Sequence, residues 1–233
     1  MTANSETAAT SDGTLTTAII GIGKIGGALA RHFVAGGEPV VLAARDESRA
    51  EALADELGPL ARAGSVEDAI VDAKVVVLAL WLDTIKELVP QHARHLEDKV
   101  VVDTANPLGF DETGRIWRTL PDDQSAGSVV AALLPASSHY VKALGTLAAD
   151  ALASGANREP RGVLFYATDD DLAATTIERL IRAAGFVPLK VGGVAEAGRI
   201  EGPGGDLGQF GLNGVLLDLD QAHTAVAAGE VRA

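Results

Sequence analysis

The chain has 233 residues, 47% of them apolar and 22% charged, which is enough for one α/β domain with a sizeable core and too apolar for wholesale disorder. Its 32 acidic residues against 19 basic ones leave a net charge of −13, a field that repels nucleic-acid phosphates and anionic lipid, and no basic stripe offsets it. The absence of cysteine excludes disulfides, thiolate nucleophiles and cysteine-ligated metal clusters.

Residues 1–14 are rich in Ser, Thr and Ala and lack an apolar core, so they read as a disordered tail rather than a secretory signal. Thr17–Ile20 is a short β-type run that ends at Gly21. Ile25, Leu29, Phe33 and Val34 then recur at helical spacing until Gly36-Gly37 stops the pattern. Pro39–Ala44 reads as a second strand, and Glu47–Leu57 as an Ala-rich helix closed by Gly58-Pro59. Ser65 with Asp68 has the form of an N-cap and acidic first turn, opening a short helix to Ala73. Val75–Leu80 is a continuous apolar strand of the kind buried on both faces of a parallel sheet. The longest apolar run, Val75–Leu82, is too short to cross a bilayer, and with no signal segment this points to a cytoplasmic protein. A helix over Thr84–Leu96, a strand over Val100–Asp103 and a polar loop over 109–124 follow. Val141–Leu144 and Val163–Ala167 read as strands, and Asp169–Ala184 as a helix whose leading acids suit its dipole. Phe186–Val191 is the last strand, after which nine glycines between 192 and 214 predict loops and turns.

This rhythm predicts a Rossmann NAD(P)-binding fold, a doubly wound and mostly parallel sheet over residues 15–195, with a short Gly-rich C-terminal appendage over 196–233. The appendage is too short for a large helical substrate domain. It is expected to help close a pocket, and its apolar cluster Val215-Leu216-Leu217 with Leu219 predicts contact within a homodimer.

Gly21, Gly23 and Gly26 match G-x-G-x-x-G between a predicted strand and helix, which is the context the motif requires. Gly21 permits the tight turn, Gly23 admits a pyrophosphate, and Gly26 lets helix and strand approach. The helix N-terminus then offers unpaired N–H groups to phosphate. The second strand ends Ala43-Ala44-Arg45, where NAD enzymes usually carry an acid for the ribose 2′-OH. Arg45 and Arg49, one helical turn apart, suit the 2′-phosphate of NADP(H), with Asp46 the competing reading toward NAD.

The chain resembles the NADP oxidoreductases that reduce the deazaflavin coenzyme F-420, and the related oxidoreductase domain of the six-transmembrane epithelial antigen metalloreductases. The matching stretches are Gly21–Gly26, Arg45 with Arg49, Val100–Pro107, Val141–Leu144, Ala183–Leu189 and Ala197–Glu201. The resemblance implies that Ile22, Lys24 and Ile25 border the pyrophosphate and that Arg45 and Arg49 border the 2′-phosphate. It also implies that Ala79, Leu80, Trp81, Asn106 and Pro107 flank the nicotinamide half. Ala44 and Gly145 depart from it, standing where the deazaflavin enzymes commonly carry a serine and a histidine.

Hydride transfer needs no protein nucleophile, and no catalytic residue is assigned. Trp81, His139 and Gly145 are candidates for the acceptor pocket, with Trp81 either stacking on a planar ring or packing in the core. Ser137-Ser138-His139 reads as a polar loop, and His92 with His95 as a solvated helix face rather than a metal site. Asp169-Asp170-Asp171 reads as helix capping, and Lys142 as a residue of the sheet's edge or surface. The resulting expectation is an NADPH-dependent reductase of a planar acceptor, either deazaflavin, flavin or similar. The alternative is a non-catalytic NADP(H)-binding redox sensor or partner subunit.

Overall fold

A computed structural model describes residues 16–230. The tail read over 1–14 lies outside the described residues. Strands β1 (Thr17–Ile20), β2 (Val40–Ala43), β3 (Ala61–Ala63), β4 (Val75–Leu78) and β5 (Val100–Asp103) alternate with helices α1 (Lys24–Ala35), α2 (Glu47–Leu57), α3 (Val66–Asp72), α4 (Leu82–Gln91) and α5 (Ala93–Leu96). A hairpin, β6 (Leu108–Phe110) and β7 (Ile116–Arg118), leads to α6 (Ala126–Leu133), β8 (His139–Ala143) and α7 (Ala149–Gly155). Then come β9 (Val163–Ala167), α8 (Asp171–Ala183), β10 (Val187–Gly192), a 3₁₀ helix at Val194–Ile200 and α9 (Leu219–Glu230).

Eight strands form one sheet in the order β10-β9-β8-β5-β4-β1-β2-β3, and only the β8–β9 pair is antiparallel. The Rossmann expectation is met. Chain order reverses between β1 and β4, so the loops after these strands diverge and open a crevice at their C-terminal ends.

The two faces explain the continuous apolar runs. Ile19, Val75, Val77, Val100 and Val102 pack under α1, α2, α7 and α8. Their neighbours Ala18, Ile20, Val76, Leu78 and Val101 pack on the other side under α3, α4 and α6. Successive side chains of a strand point to opposite faces, so a strand covered on both sides is apolar along its length except where a polar side chain has a buried partner.

The polar loop expected over 109–124 contains the β6–β7 hairpin and the segment that leads to α6. Its turn is built by Asp111, whose carboxylate accepts from the Thr113 N–H, the Thr113 hydroxyl and the Arg115 N–H. The helix expected over Thr84–Leu96 breaks after Gln91, just past Pro90, which has no N–H for the helical ladder. The C-terminal segment is less irregular than its glycines suggest. Asp218 and Gln221 exchange side-chain to backbone hydrogen bonds of 3.1 and 3.0 Å and open α9. Leu207 and Ala222 join Val163, Phe165 and Val191 in a third apolar cluster over β9 and β10. Of the apolar cluster read at 215–219, Leu216 packs inward against Gly155 and Gly162, Leu217 joins the third cluster, and Val215 and Leu219 remain exposed.

Candidate site at the carboxyl ends of the strands

The glycine loop leaves β1 through Gly21, whose N–H donates to Ala43 O of β2 at 2.8 Å. Gly21 has φ +93°, and a Cβ there would stand 2.5 Å from Ala79 O, so turn and packing both require glycine. Gly26 is required by packing, since a Cβ would run into the Gly21 carbonyl. Gly23 differs. Its φ of −68° suits any residue, and a Cβ would meet nothing within 4 Å. The protein itself gives no reason for glycine at the exposed first position before α1, and a ligand approaching those N–H groups does.

An open groove of about 390 Å³ runs from this loop between α1 and α2, lined by Ile22, Gly23, Lys24, Arg31 and Arg49 among others. Arg31 reaches across it to Glu56 in a two-pronged ion pair at 3.0 and 2.8 Å. Arg45 is exposed in the turn after β2, next to the carbonyl that holds Gly21. Lys24, Arg45 and Arg49 carry no ion pair among the described residues. Asp46, the competing acid, accepts the Ser48 hydroxyl at 2.7 Å. The structure therefore groups Ile22, Lys24 and Arg49 with Gly23 on one groove and Arg45 at the head of α2. A phosphorylated dinucleotide fits this donor set, with helix N–H groups for its pyrophosphate and unpaired cations beyond.

The second half of the site gathers at the ends of β4 and β5. Ala79 and Leu80 close over Gly21, and Trp81, 59% exposed, follows as the N-cap of α4. The ring stacks edge-to-face on Phe110, centroids 6.0 Å apart, rather than entering the core. Asn106 ties three segments together. Its Nδ2 donates to Gly145 O at 2.8 Å, its Oδ1 accepts the Gly202 N–H at 2.9 Å, and the adjoining Pro107 carbonyl accepts the Thr119 N–H at 2.8 Å.

Beneath this corner lies a charged cluster that the sequence reading missed. Lys142 is an interior residue, 2% exposed, on a strand between β5 and β9, which corrects its expected place at the edge or surface. Its ammonium donates to Asp103 Oδ2 at 2.9 Å and to the Ala105 carbonyl, and lies 3.4 Å from Glu201 Oε1. The Tyr140 hydroxyl donates to the same Asp103 oxygen at 2.9 Å. Burial, then the Asp103 charge, push that phenol well above its ordinary value. Glu201 accepts from the Ala126 and Gly127 N–H groups at 2.9 and 2.7 Å, capping α6 from the C-terminal segment. The legible signal was a lysine inside the apolar run Tyr140–Leu144, which a core tolerates only with a counter-charge.

Two expected pocket residues fare differently. His139 pairs with Val100 at the start of β5, the end of the sheet opposite Asn106, and its Nδ1 lies 2.7 Å from Asp170 Oδ2. It does not join Trp81. Asp170 also caps α8, accepting from the Ala173 N–H at 2.8 Å. Gly145 does sit at the Asn106 corner, but a Cβ there would collide with the Thr104 carbonyl, so the fold leaves no room for a histidine. His92 and His95 lie with ring centroids 6.2 Å apart, and among the described residues no group of three His, Asp or Glu could hold a metal ion. No helix among the described residues is long and apolar enough to cross a membrane.

Comparison with known proteins agrees with this geometry. Residues 16–107 match the family model described as "NADP oxidoreductase coenzyme F420-dependent". The metalloreductase STEAP3 of Rattus norvegicus is 31% identical over 183 residues, covering 78% of this chain and 35% of that protein. The chain thus spans about a third of the length of that curated relative. A hypothetical protein from Sinorhizobium meliloti superposes with a TM-score of 0.73 at 31% identity, covering 83% of this chain and 92% of that one. A protein proposed as an F420-dependent NADP-reductase, from Arthrobacter sp. FB24, superposes at 0.68 with 23% identity, covering 78% and 87%, and shows the shared fold. The chain belongs to the coenzyme F420-dependent NADP oxidoreductase family and carries its NADP(H)-binding oxidoreductase fold.

Proposed function

We propose that the chain is an NADPH-dependent reductase that passes hydride to a planar conjugated acceptor, a deazaflavin, a flavin or a similar ring. The observation that carries this is Gly23, a glycine that neither backbone nor packing demands, at a helix N-terminus beside Lys24 and Arg49. When bound, the nicotinamide supplies the hydride. The chain's residues do the rest: Gly23 and the α1 N-terminus seat the pyrophosphate, and Arg45 and Arg49 bind the 2′-phosphate. Leu80, Trp81 and Asn106 border the reacting end, where Asn106 fixes the corner and Trp81 presents a stacking face.

Replacing Gly23 by Val tests the reading. The variant should fold normally and lose NADPH binding by calorimetry, because its side chain fills the phosphate approach. A folded variant that binds NADPH as the parent does overturns the placement.

A second reading, a non-catalytic NADP(H) sensor, is favoured by one observation. The titratable groups under the corner, Asp103, Tyr140, Lys142 and Glu201, are buried and bonded to one another, so none serves as a proton donor. Hydride transfer needs no such donor, and turnover with an acceptor separates the two. On the same footing the chain is read as cytoplasmic, with which its lack of cysteine is compatible, and as a homodimer using the exposed Val215 and Leu219.

A further inference from the structure

The charges of the site divide between its two ends. At the adenosine end stand Lys24, Arg45 and Arg49, without ion pairs among the described residues. At the other end, the segment 107–124 carries Asp111, Glu112, Asp122 and Asp123 against Arg115 and Arg118. The Arg118 guanidinium donates to Pro203 O at 3.0 Å and Gln124 O at 2.5 Å, and its Nε lies 3.9 Å from Asp122 Oδ1, which leaves Asp111, Glu112 and Asp123 without an ion pair among the described residues. Asp111 is held anionic, first by the Thr113 hydroxyl and then by backbone N–H groups of its turn. Asp83, at the start of α4 beside Trp81, is largely exposed and faces Lys86 at 3.0 Å.

The same corner shows aromatic rings to solvent. Trp81 and Phe110 are 59% and 55% exposed and form the edge-to-face pair. Phe210, also 55% exposed, lies over Gly202, whose N–H is held by Asn106; a Cβ on Gly202 would come within 3.1 Å of its ring. Trp117 is exposed too, but it pairs with Gly109, next to Phe110 in the strand, and so occupies the other face of the hairpin.

Resting on the reductase reading above, we propose that Trp81, Phe110 and Phe210 form a seat for an uncharged conjugated ring of the quinone class, and that the acidic hairpin rejects phosphorylated acceptors. A flavin nucleotide or a phosphorylated deazaflavin brings its own negative charge into a field of like sign, whereas a quinone brings none. The aromatic faces supply the attraction that an uncharged ring can use. The balance is simple: a C–H bond of the reduced nicotinamide breaks, and its hydrogen and electron pair pass to a quinone oxygen. A proton from water completes the hydroquinone, leaving oxidised nicotinamide.

The two tryptophans make the test direct. In Trp117→Phe, Trp81 is the only tryptophan, and its fluorescence is titrated with menadione, FMN and the deazaflavin coenzyme, with and without NADPH. Menadione should quench it independently of salt, while FMN and the deazaflavin should bind more weakly at low salt and gain as salt screens the hairpin. In Trp81→Phe, Trp117 should be quenched little. Phe210→Ala should weaken menadione binding by about fivefold to tenfold and leave NADPH binding unchanged. Tighter binding of FMN or the deazaflavin than of menadione overturns the proposal while the reductase reading stands. Loss of NADPH binding in Phe210→Ala overturns it too, since the ring then belongs to the cofactor. Quenching of Trp81 by dilution-reversible self-association in place of menadione assigns the patch to a second copy and likewise overturns it. NADPH binding without turnover of any of the three acceptors removes the reductase reading itself, and this proposal with it.

Discussion

The Lys142 ammonium and the Asp103 carboxylate meet at 2.9 Å across neighbouring strands, both out of reach of water. Pairs of this kind contribute little net stability over an apolar alternative, but removing one partner strands the other. Lys142→Met leaves Asp103 and Glu201 facing each other without a cation. The expected loss is about 3–5 kcal/mol in urea unfolding, with part of it recovered by adding Asp103→Asn. A loss under 1 kcal/mol, on the order of a surface pair, contradicts the burial described.

On the placement proposed above, cofactor choice rests on Arg45 and Arg49. Arg45→Asp removes a charge-assisted contact of about 1.5–3 kcal/mol and adds a repulsive acid, so the preference for NADPH over NADH should shrink or invert. Calorimetric titration of both cofactors into parent and variant measures it, and equal affinity in the parent contradicts the assignment.

Asn106 holds Gly145 and Gly202 through one side chain. Asn106→Ala should cost about 1–3 kcal/mol for the two bonds lost. Backbone hydrogen exchange should quicken around residues 202–210, because the C-terminal segment loses its tie to β5. Unchanged exchange there shows that the segment is held by its apolar contacts alone.

Tyr140 makes stability depend on pH at the alkaline end. Its proton is held more tightly in the folded chain than in the unfolded one, where a tyrosine titrates near 10. Its contribution is therefore complete below about pH 10 and is lost as pH rises past that value toward the folded one. Unfolding free energies between pH 8 and 11 should fall less steeply in Tyr140→Phe than in the parent.

The first half of the fold was legible because each cue was local. Gly21–Gly26, the Ser65 cap and the apolar runs of β1, β4 and β5 carry their meaning within a few residues. Ser65 indeed accepts from the Asp68 N–H at 3.1 Å. The strand β3 escaped because Ala61-Arg62-Ala63 has no β-branched residue, and its pairing with β2 is a partnership no local pattern shows. α6 escaped because its capping box is Ser125 with Ser128, not with Glu or Gln. Around the site, the tight turn at Gly21 and the close approach at Gly26 were readable. The partners of Lys142 were not, since Asp103 and Glu201 stand 39 and 59 positions away and no spacing rule links them. His139 was misplaced for a related reason. Sequence puts it close to Gly145, while β8 carries the two to opposite ends of the sheet.

Glu201 has a consequence for how the protein is made. Every strand of the sheet is synthesised by Gly192, and the start of α6, capped locally by Ser125 alone, has lacked its second acceptor since Gly127 left the ribosome. The carboxylate that satisfies it, and that completes the surroundings of Lys142, arrives last, in the short stretch after the 3₁₀ helix. A nascent chain therefore holds the glycine loop and its groove well before it can finish the corner at Asn106. Cofactor capture can precede completion of the acceptor end, with NADPH able to steady the young sheet while the tail is still inside the exit tunnel.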